Sequence, residues 1–359
     1  MPEKKAPKNK TIDITVEEGR SYLERCICFN LQRMRDEAPR DLHESKRDDP
    51  LSSNLQLNLE ISSPSKIDIA MLQDRLICGD SFSVLPKLPE HFVDLLIADP
   101  PYNMDKEFHG GKFKKTSDEA YAEYTEKWVV QAKRLMKRNA SIYVCCDWVS
   151  SGVIERVLRK YFMIQNRITW QREKGRGALR NWKNGMEDIW FATNSSKYTF
   201  NIDAVKQRRK VIAPYRVDGK PKDWQETEQG NFRDTYPSNF WDDISVPYWS
   251  MPENTAHPTQ KPEKLLAKLI LASSNAGDMV FDPFAGSGST LVTAKKLGRH
   301  FSGIERDEQY CVWAEKRLEM AETDQTIQGY ADSVFWERNT AELQERARAN
   351  RKAENKAAP

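Results

Sequence analysis

The chain has 359 residues, of which 39% are hydrophobic and 30% are charged. This length exceeds one average domain and supplies enough apolar material for one large core with smaller attachments. The net charge of +3 does not by itself indicate a polyanion partner, and with no long apolar run and a start of Met-Pro-Glu-Lys-Lys we expect a soluble, cytoplasmic protein without a spanning helix or signal peptide.

The first 70 residues mix acidic and basic side chains with Pro, Ser and Asn, which predicts a charged N-terminal extension. Its only periodic piece, Val16 to Arg35, has a helical pattern. Strands and helices then alternate over residues 71–193, which we expect to form the first half of the main domain. The predicted strands lie at 75–80, 95–99, 141–146, 164–170 and 189–193, and the predicted helices at 81–88, 121–137 and 150–161.

Residues 194–256 lose this periodicity and contain several prolines, which predicts an inserted subdomain. Regular elements return over 257–323, with helices at 263–274 and 290–297 and strands at 279–284 and 301–305. Residues 324–359 are rich in Ala, Glu and Arg and predict a charged helical tail. The alternation of strands and helices predicts an α/β fold with a parallel or mostly parallel sheet covered on both faces.

The most informative motif is Asp99-Pro100-Pro101-Tyr102, directly after an apolar run. The end of a buried strand is where open α/β sheets place their chemistry. Two prolines cannot continue a strand ladder, so the backbone turns here and presents the Pro100 carbonyl, a carboxylate and an aromatic ring. Together these groups suit a planar amine.

A polar stretch, Asn103 to Ser117, follows this turn. It is too hydrophilic to belong to the core. We expect it to cover the turn as a mobile lid, with the pair Gly110-Gly111 as its hinge.

A second motif, Asp282-Pro283-Phe284-Ala285-Gly286-Ser287-Gly288, carries a predicted strand into a glycine turn that opens a helix. It matches neither a phosphate-binding P-loop nor a full dinucleotide fingerprint, which favours an adenosine-containing ligand without a pyrophosphate. Nineteen residues past Gly286, Glu305 ends the next predicted strand. A carboxylate at that position accepts hydrogen bonds from ribose hydroxyls in other nucleoside sites.

Basic side chains are concentrated in two windows. Residues 159–183 carry eight Lys or Arg against one acid, and residues 197–222 carry eight against two. Aromatic residues are interleaved with them, and this mixture favours phosphate contact together with base stacking. The two windows flank one apolar strand, which favours a nucleic-acid partner.

The cysteines and histidines do not indicate a metal site. The six cysteines form no CxxC pair, and the five histidines are scattered without ligand spacing. We therefore expect structural thiols, no disulfides and no metal.

The motifs at Asp99 to Tyr102, His257 to Pro262 and Phe281 to Thr290 resemble those of S-adenosylmethionine-dependent amino methyltransferases that act on DNA. The catalytic turn precedes the cofactor turn, which resembles the β group of this family. The match covers residues 74–320. It implies a Rossmann-like sheet of seven mostly parallel strands with helices on both faces, in which residues 194–256 form a target-recognition segment between the catalytic half (71–193) and the cofactor-binding half (257–323).

The resemblance also implies the chemistry, which is base flipping followed by direct in-line attack of an exocyclic amine on the methyl group of S-adenosylmethionine. Asp99 and the carbonyl of Pro100 would accept hydrogen bonds from the amine, and Tyr102 would stack on the base. The catalytic residues that we expect are Asp99, Pro100, Pro101 and Tyr102.

On the cofactor side, the resemblance places Glu305 on the ribose hydroxyls and Asp80 near the adenine, while Thr259 and Lys261 hold the methionine carboxylate. The expected cofactor-binding residues are Cys78, Gly79, Asp80, Asp99, His257, Thr259, Lys261, Asp282, Phe284, Ala285, Gly286, Ser287, Gly288 and Glu305. The expected DNA-binding residues are Arg172, Lys174, Arg176, Arg180, Lys183, Arg208, Arg209 and Lys210.

Asp rather than Ser at position 99 favours N6 of adenine, because the family's N4-cytosine members usually carry Ser there. The expected function is site-specific adenine methylation of double-stranded DNA, in a restriction-modification context of a bacterial or phage-infected cell. Three alternatives stay open, namely N4-cytosine methylation, methylation of an amine or amide in RNA or protein, and an inactive DNA-binding module. A homodimer and a cognate restriction endonuclease are further expected partners.

Overall fold

The computed structural model describes residues 9–28, 67–109, 111–172, 180–211, 215–227, 230–338 and 340. Strands are numbered along the chain, and those of the central sheet are β1 (Ile27–Cys28), β2 (Arg75–Cys78), β3 (Val93–Ala98), β6 (Met136–Cys146), β7 (Met163–Gln171), β8 (Met186–Thr193), β14 (Phe240–Trp241), β15 (Met279–Asp282) and β16 (His300–Glu305). Their order across the sheet is β1-β2-β16-β15-β3-β6-β8-β7-β14.

Across the sheet, the six neighbouring strands β1, β2, β16, β15, β3 and β6 are parallel, while β8 runs antiparallel to both β6 and β7. The predicted α/β fold with seven mostly parallel strands is confirmed. The two-residue strands β1 and β14 extend this sheet at its two edges.

Helices cover both faces of the sheet. They are α1 (Arg20–Leu23), α2 (Ile69–Leu72), α3 (Ser81–Val84), α4 (Asp118–Leu135), α5 (Trp148–Tyr161), α6 (Glu263–Ser273), α7 (Ser289–Lys296) and α8 (Glu308–Thr323). Side chains alternate along β3, so that Leu96 joins one apolar core with α4 and α5 while Leu95 joins a second core with α6, α7 and α8. None of the described helices is long and apolar enough to cross a membrane.

Two hairpins and a second sheet complete the described chain. The hairpins are β4 (Lys106–Phe108) with β5 (Gly111–Phe113), and β10 (Arg216–Val217) with β11 (Lys220–Pro221). The strands of the second sheet are β9 (Gln207–Lys210), β12 (Gln225–Thr227), β13 (Gly230–Thr235), β17 (Tyr330–Ala331) and β18 (Val334–Trp336). Their order is β12-β13-β9-β18-β17, so the inserted segment is completed by strands from the end of the chain.

The prediction of a helical tail is wrong for the part of residues 324–338 that forms β17 and β18. Val334, Phe335 and Trp336 are β-forming apolar residues, and β18 pairs in parallel with β9. Trp336 is only 2% exposed. Burial against the inserted segment therefore outweighs the helical composition of the surrounding sequence, and residues 341–359 lie outside the described part.

The helix predicted from Val16 to Arg35 is also wrong within its described part, because α1 is a single turn and β1 follows it. Residues 14–25 run along α8, while residues 10–12 bind the segment 249–255. The carbonyl of Ile14 accepts hydrogen bonds from the side chains of Gln309 and Trp313, at 2.7 and 3.0 Å. This part of the expected extension is therefore packed onto the main domain, and residues 29–66 lie outside the description.

Candidate active site

The carboxyl ends of the parallel strands surround a cavity of about 610 Å³, a volume typical of small-molecule sites. Both predicted motifs contribute to its wall, although they are far apart in sequence. The predicted site residues on this wall are Asp80, Asp99, Pro100, Pro101, Tyr102, His257, Thr259, Lys261, Asp282, Phe284, Ala285, Gly286, Ser287 and Glu305.

Three other predicted cofactor residues, Cys78, Gly79 and Gly288, are not on the wall that the described residues form. The backbone N–H of Gly79 donates to the carbonyl of Glu305 at 2.8 Å, which joins the ends of β2 and β16. Gly288 has a φ of 75°, and a Cβ there would lie 2.7 Å from the Cβ of Ala314. Gly79 therefore takes part in strand pairing, and Gly288 takes part in helix packing.

Asp99 follows β3, and both of its carboxylate oxygens are bound by side chains. The hydroxyl of Tyr102 donates to Oδ1 at 2.8 Å, and the ammonium of Lys261 donates to Oδ2 at 2.6 Å. Tyr121 in α4 donates to the carbonyl of Pro101 at 2.9 Å, which fixes the turn against the helix. The Pro-Pro turn therefore holds its carboxylate in one orientation.

Lys261 is almost completely buried, with 7% of its side chain exposed. Burial alone would lower the pKa of its ammonium, but the carboxylates of Asp99 and Glu187 outweigh burial and raise that pKa above the usual value. Burial, together with the same two carboxylates, also raises the pKa of Tyr102 well above its usual value. Lys261 is therefore a cation and Tyr102 a protonated donor at neutral pH.

Glu187, at the start of β8, is a site residue that the sequence analysis missed. Its Oε2 lies 3.3 Å from the hydroxyl of Tyr102 and 3.4 Å from the ammonium of Lys261, and its Oε1 pairs with Arg172. Only 6% of its side chain is exposed. Two adjacent acids, Glu187 and Asp188, entering an apolar strand were the available signal.

The glycine turn between β15 and α7 forms the other side of the cavity. Gly286 has a φ of 54°, in the left-handed region that favours glycine, and a Cβ there would lie 3.1 Å from Nε2 of His257. Asp282 accepts hydrogen bonds from the backbone of Phe284 at 2.9 Å and from the hydroxyl of Thr290 at 2.5 Å. Burial raises the pKa of the Asp282 carboxyl to about 7.

Glu305 ends β16 and faces this turn. Its two carboxylate oxygens accept the backbone N–H groups of Gly286 and Asp307, each at 2.8 Å. Burial raises the pKa of its carboxyl to about 7, although these hydrogen bonds favour the ionised form. Each oxygen keeps a second lone pair, so the group can accept further hydrogen bonds.

Other predicted residues have local partners. The Asp80 carboxylate caps α3 by accepting the backbone N–H of Ser83 at 3.1 Å. Burial lowers the pKa of His257 to about 3, so its ring is neutral, and Nδ1 accepts the N–H of Thr259 at 3.3 Å.

The stretch predicted as a lid reaches across the cavity to α8. The backbone N–H of His109 donates to the hydroxyl of Tyr310 at 3.0 Å, and its Nδ1 lies 2.8 Å from the carboxylate of Asp307. Lys106, His109 and Phe113 line the cavity together with Tyr310. The stretch therefore covers the side of the cavity next to α8, while Gly110 of the predicted hinge lies outside the described residues.

The predicted DNA-binding residues have different environments. Arg180 and Lys183 are exposed beside Trp182, whose side chain is 93% exposed. Arg172 lines the cavity and pairs with Glu187, and Arg208 forms two hydrogen bonds of 2.8 Å with Asp234. Arg209 is half-buried and Lys210 is exposed, whereas Lys174 and Arg176 lie outside the described residues.

Comparisons with known proteins agree with this geometry. Residues 93–316 match the model of the N6/N4 methylase family, which is described as DNA methylase. The chain is 35% identical over 254 residues to "DNA adenine methyltransferase YhdJ" of Escherichia coli (strain K12), covering 68% of this chain and 83% of that protein. It is 34% identical over 253 residues to "Type II methyltransferase M.HpaI" of Haemophilus parainfluenzae, covering 69% and 75%.

Among solved structures, the fold is similar to that of "PvuII DNA methyltransferase (cytosine-N4-specific)", with a TM-score of 0.53 and 15% identity. The similarity covers 69% of this chain and 90% of that one. At this identity the similarity shows a shared fold.

Proposed function

The chain belongs to the N6/N4 family of DNA methyltransferases, which use S-adenosylmethionine, and from this premise we propose that it methylates the N6 amine of adenine at a specific sequence in duplex DNA. The observation that carries the proposal is the position of Asp99 on the same cavity as the glycine turn and Glu305. One cavity can then hold the target amine and the methyl donor side by side.

The described residues fit S-adenosylmethionine. Residues 284–287 of the glycine turn lie on the cavity wall, so a ligand in the cavity can contact this turn. Glu305 has unused lone pairs for ribose hydroxyls, and Asp80 and Phe284 line the same part of the wall. When bound, this group would supply a methyl carbon attached to a positively charged sulfur, which an amine can attack directly.

Asp99 acts on the target base. Its carboxylate can accept an N–H of the exocyclic amine and so orient the nitrogen lone pair toward the methyl carbon. A base inside a duplex cannot reach this enclosed position, so the nucleotide must leave the stack first. Methyl transfer would release S-adenosylhomocysteine and leave positive charge on the amine until it loses a proton, and the negative charge of Asp99 would stabilise that charge.

Two observations support adenine as the target. Position 99 is Asp, whereas the family's N4-cytosine members usually carry Ser, and a curated relative with 35% identity is named an adenine methyltransferase. N4-cytosine methylation is the second candidate, because both exocyclic amines present an N–H to a carboxylate. The cytosine-specific structural neighbour supports only the common fold.

The proposal is tested by expressing the protein in a bacterial host that lacks its own adenine methylation and mapping modified bases across the host DNA. We expect N6-methyladenine at one short sequence, and none in cells that express Asp99→Ala. N4-methylcytosine at one sequence would contradict the adenine assignment, and unmodified DNA with folded protein present would contradict the activity. The same map gives the recognition sequence for the experiments below.

A further inference from the structure

Lys261 lies between the buried carboxylate of Glu187 and the half-buried carboxylate of Asp99. Its ammonium is 2.6 Å from Oδ2 of Asp99 and 3.4 Å from Oε2 of Glu187, so a small shift of the side chain exchanges one partner for the other. The hydroxyl of Tyr102 bridges the same two acids, at 2.8 Å from Asp99 and 3.3 Å from Glu187. Asp99 and Glu187 therefore share two donors.

The contact between Lys261 and Asp99 weakens the effect that Asp99 has on the reaction. An ammonium in contact with Asp99 cancels much of the negative charge that stabilises the amine as it becomes positive, because charges interact strongly away from water. Lys261 and Tyr102 already donate one hydrogen bond to each carboxylate oxygen of Asp99. Asp99 serves the target amine better when Lys261 has another anionic partner.

Glu187 is positioned to bind the ammonium of Lys261 in place of Asp99. Arg172 pairs with its Oε1, which leaves Oε2 directed at Lys261 and Tyr102. The four charged groups Asp99, Glu187, Lys261 and Arg172 are two cations and two anions, so the cluster carries no net charge.

We propose that Glu187 is a positioning residue that takes the ammonium of Lys261 away from Asp99 when the target base enters, so that Asp99 can bind the exocyclic amine. This inference rests on the proposed function. Without Glu187, Asp99 is the only remaining carboxylate among the described residues that pair with Lys261. The ammonium then stays on Asp99 and competes with the base.

The test compares two duplexes that carry the recognised sequence, one with the target base and one with its analogue that lacks the amine, purine for adenine. Binding is measured with S-adenosylhomocysteine present, so that no transfer occurs. The wild-type protein is expected to prefer the amine-bearing duplex about tenfold, the value of one hydrogen bond. In Glu187→Gln the preference is expected to fall to about one.

The single-turnover rate of methyl transfer is measured on the same variants. We expect Glu187→Gln to lose about 100-fold in rate while its S-adenosylmethionine affinity stays within about threefold of the wild type. Glu187→Asp keeps the charge and is expected to recover part of both the rate and the preference. The matched control is Glu322→Gln, which removes an exposed carboxylate of α8 that lies 2.9 Å from Lys295. This variant should behave as the wild type.

Unchanged preference and rate in Glu187→Gln would overturn the inference. Equal weakening on both duplexes, or Glu187→Asp being no better than Glu187→Gln, would show a merely structural role and overturn it as well. These outcomes leave the proposed function intact, because the wild type still methylates DNA. A wild-type protein that methylates no DNA would contradict the proposed function and the inference together.

Discussion

The ammonium of Lys261 donates a 2.6 Å hydrogen bond to the carboxylate of Asp99, although the two residues are 162 positions apart in the chain. Lys261 precedes α6, and Asp99 follows β3. The bond links the segment that leads into α6 with the turn that carries Asp99. The resemblance assigns Lys261 to the cofactor, whereas its contacts in the structure are with the catalytic turn.

Replacing Asp99 by Asn is expected to separate chemistry from cofactor binding. Asn keeps the size of the side chain but removes the negative charge that stabilises the amine, so the single-turnover rate should fall by at least about 100-fold. S-adenosylmethionine affinity, measured by calorimetry, should change little, because in the proposed function Asp99 binds the amine of the base. Transfer at the wild-type rate would contradict the role of Asp99.

Gly286→Ala is expected to weaken S-adenosylmethionine binding. An alanine at a φ of 54° costs about 1 to 2 kcal/mol of backbone strain. Its Cβ would also press on His257, since it would lie 3.1 Å from Nε2. The matched control is Gly298→Ala, because Gly298 has a φ of 71° but no atom lies within 4 Å of the place that its Cβ would take.

Both variants should lose similar stability from strain, as measured by thermal melting, but only Gly286→Ala should lose cofactor affinity. Equal affinity in the two variants would contradict the assignment of the glycine turn to the cofactor.

Glu305 is expected to make cofactor binding depend on pH. Burial raises the pKa of its carboxyl to about 7, and the ionised carboxylate is the better acceptor for ribose hydroxyls. Affinity for S-adenosylmethionine should therefore rise between about pH 6 and 7 and level off above, compared with Glu305→Gln. Parallel pH curves for the two proteins would contradict a contact between Glu305 and the ligand.

The raised pKa of Glu305 also predicts how the free energy of unfolding changes with pH. Because its pKa is raised in the folded protein, the stabilising contribution of protonated Glu305 is complete below the unfolded value of 4.5 and is lost as pH rises through about 7. Relative to Glu305→Gln, the free energy of unfolding of the wild type should fall across this interval. Chemical denaturation of both proteins at several pH values measures it.

DNA binding is expected to weaken steeply with salt, because Lys and Arg side chains replace counterions on the phosphates. Arg180→Ala with Lys183→Ala removes two exposed cations and should reduce the slope of log affinity against log salt by about 2. Arg208→Ala is the comparison, because Arg208 is already held by Asp234 and should change the slope less. If both replacements reduced the salt slope equally, the expectation that Arg180 and Lys183 contact phosphates more than Arg208 does would be contradicted.

Most of the fold could be predicted because several central strands, including β3, β6 and β15, contain apolar runs that end in a recognisable turn. Asp99 and Glu305 were identifiable because both follow such strands, where α/β sheets place ligands. Glu187 was not, because its function depends on Lys261 and Tyr102, which the sequence does not show to be neighbours. The antiparallel course of β8 brings Glu187 beside them.

The tail shows a different reason for failure. Its composition favours a helix, but Val334 to Trp336 pair with β9 and pack beside Phe232. Such pairing over a long sequence separation depends on tertiary burial rather than on local preference. The short helix in place of the predicted Val16 to Arg35 helix has the same origin, since the segment around it contacts α8 and then pairs with β2.

The most direct test of the central claim uses the purified protein, duplex DNA containing the recognised sequence and S-adenosylmethionine with a labelled methyl group. After digestion to nucleosides, mass spectrometry identifies the labelled product. The account predicts label in N6-methyldeoxyadenosine with the wild type and none with Asp99→Ala. Label in another nucleoside, or equal label with Asp99→Ala, would contradict it.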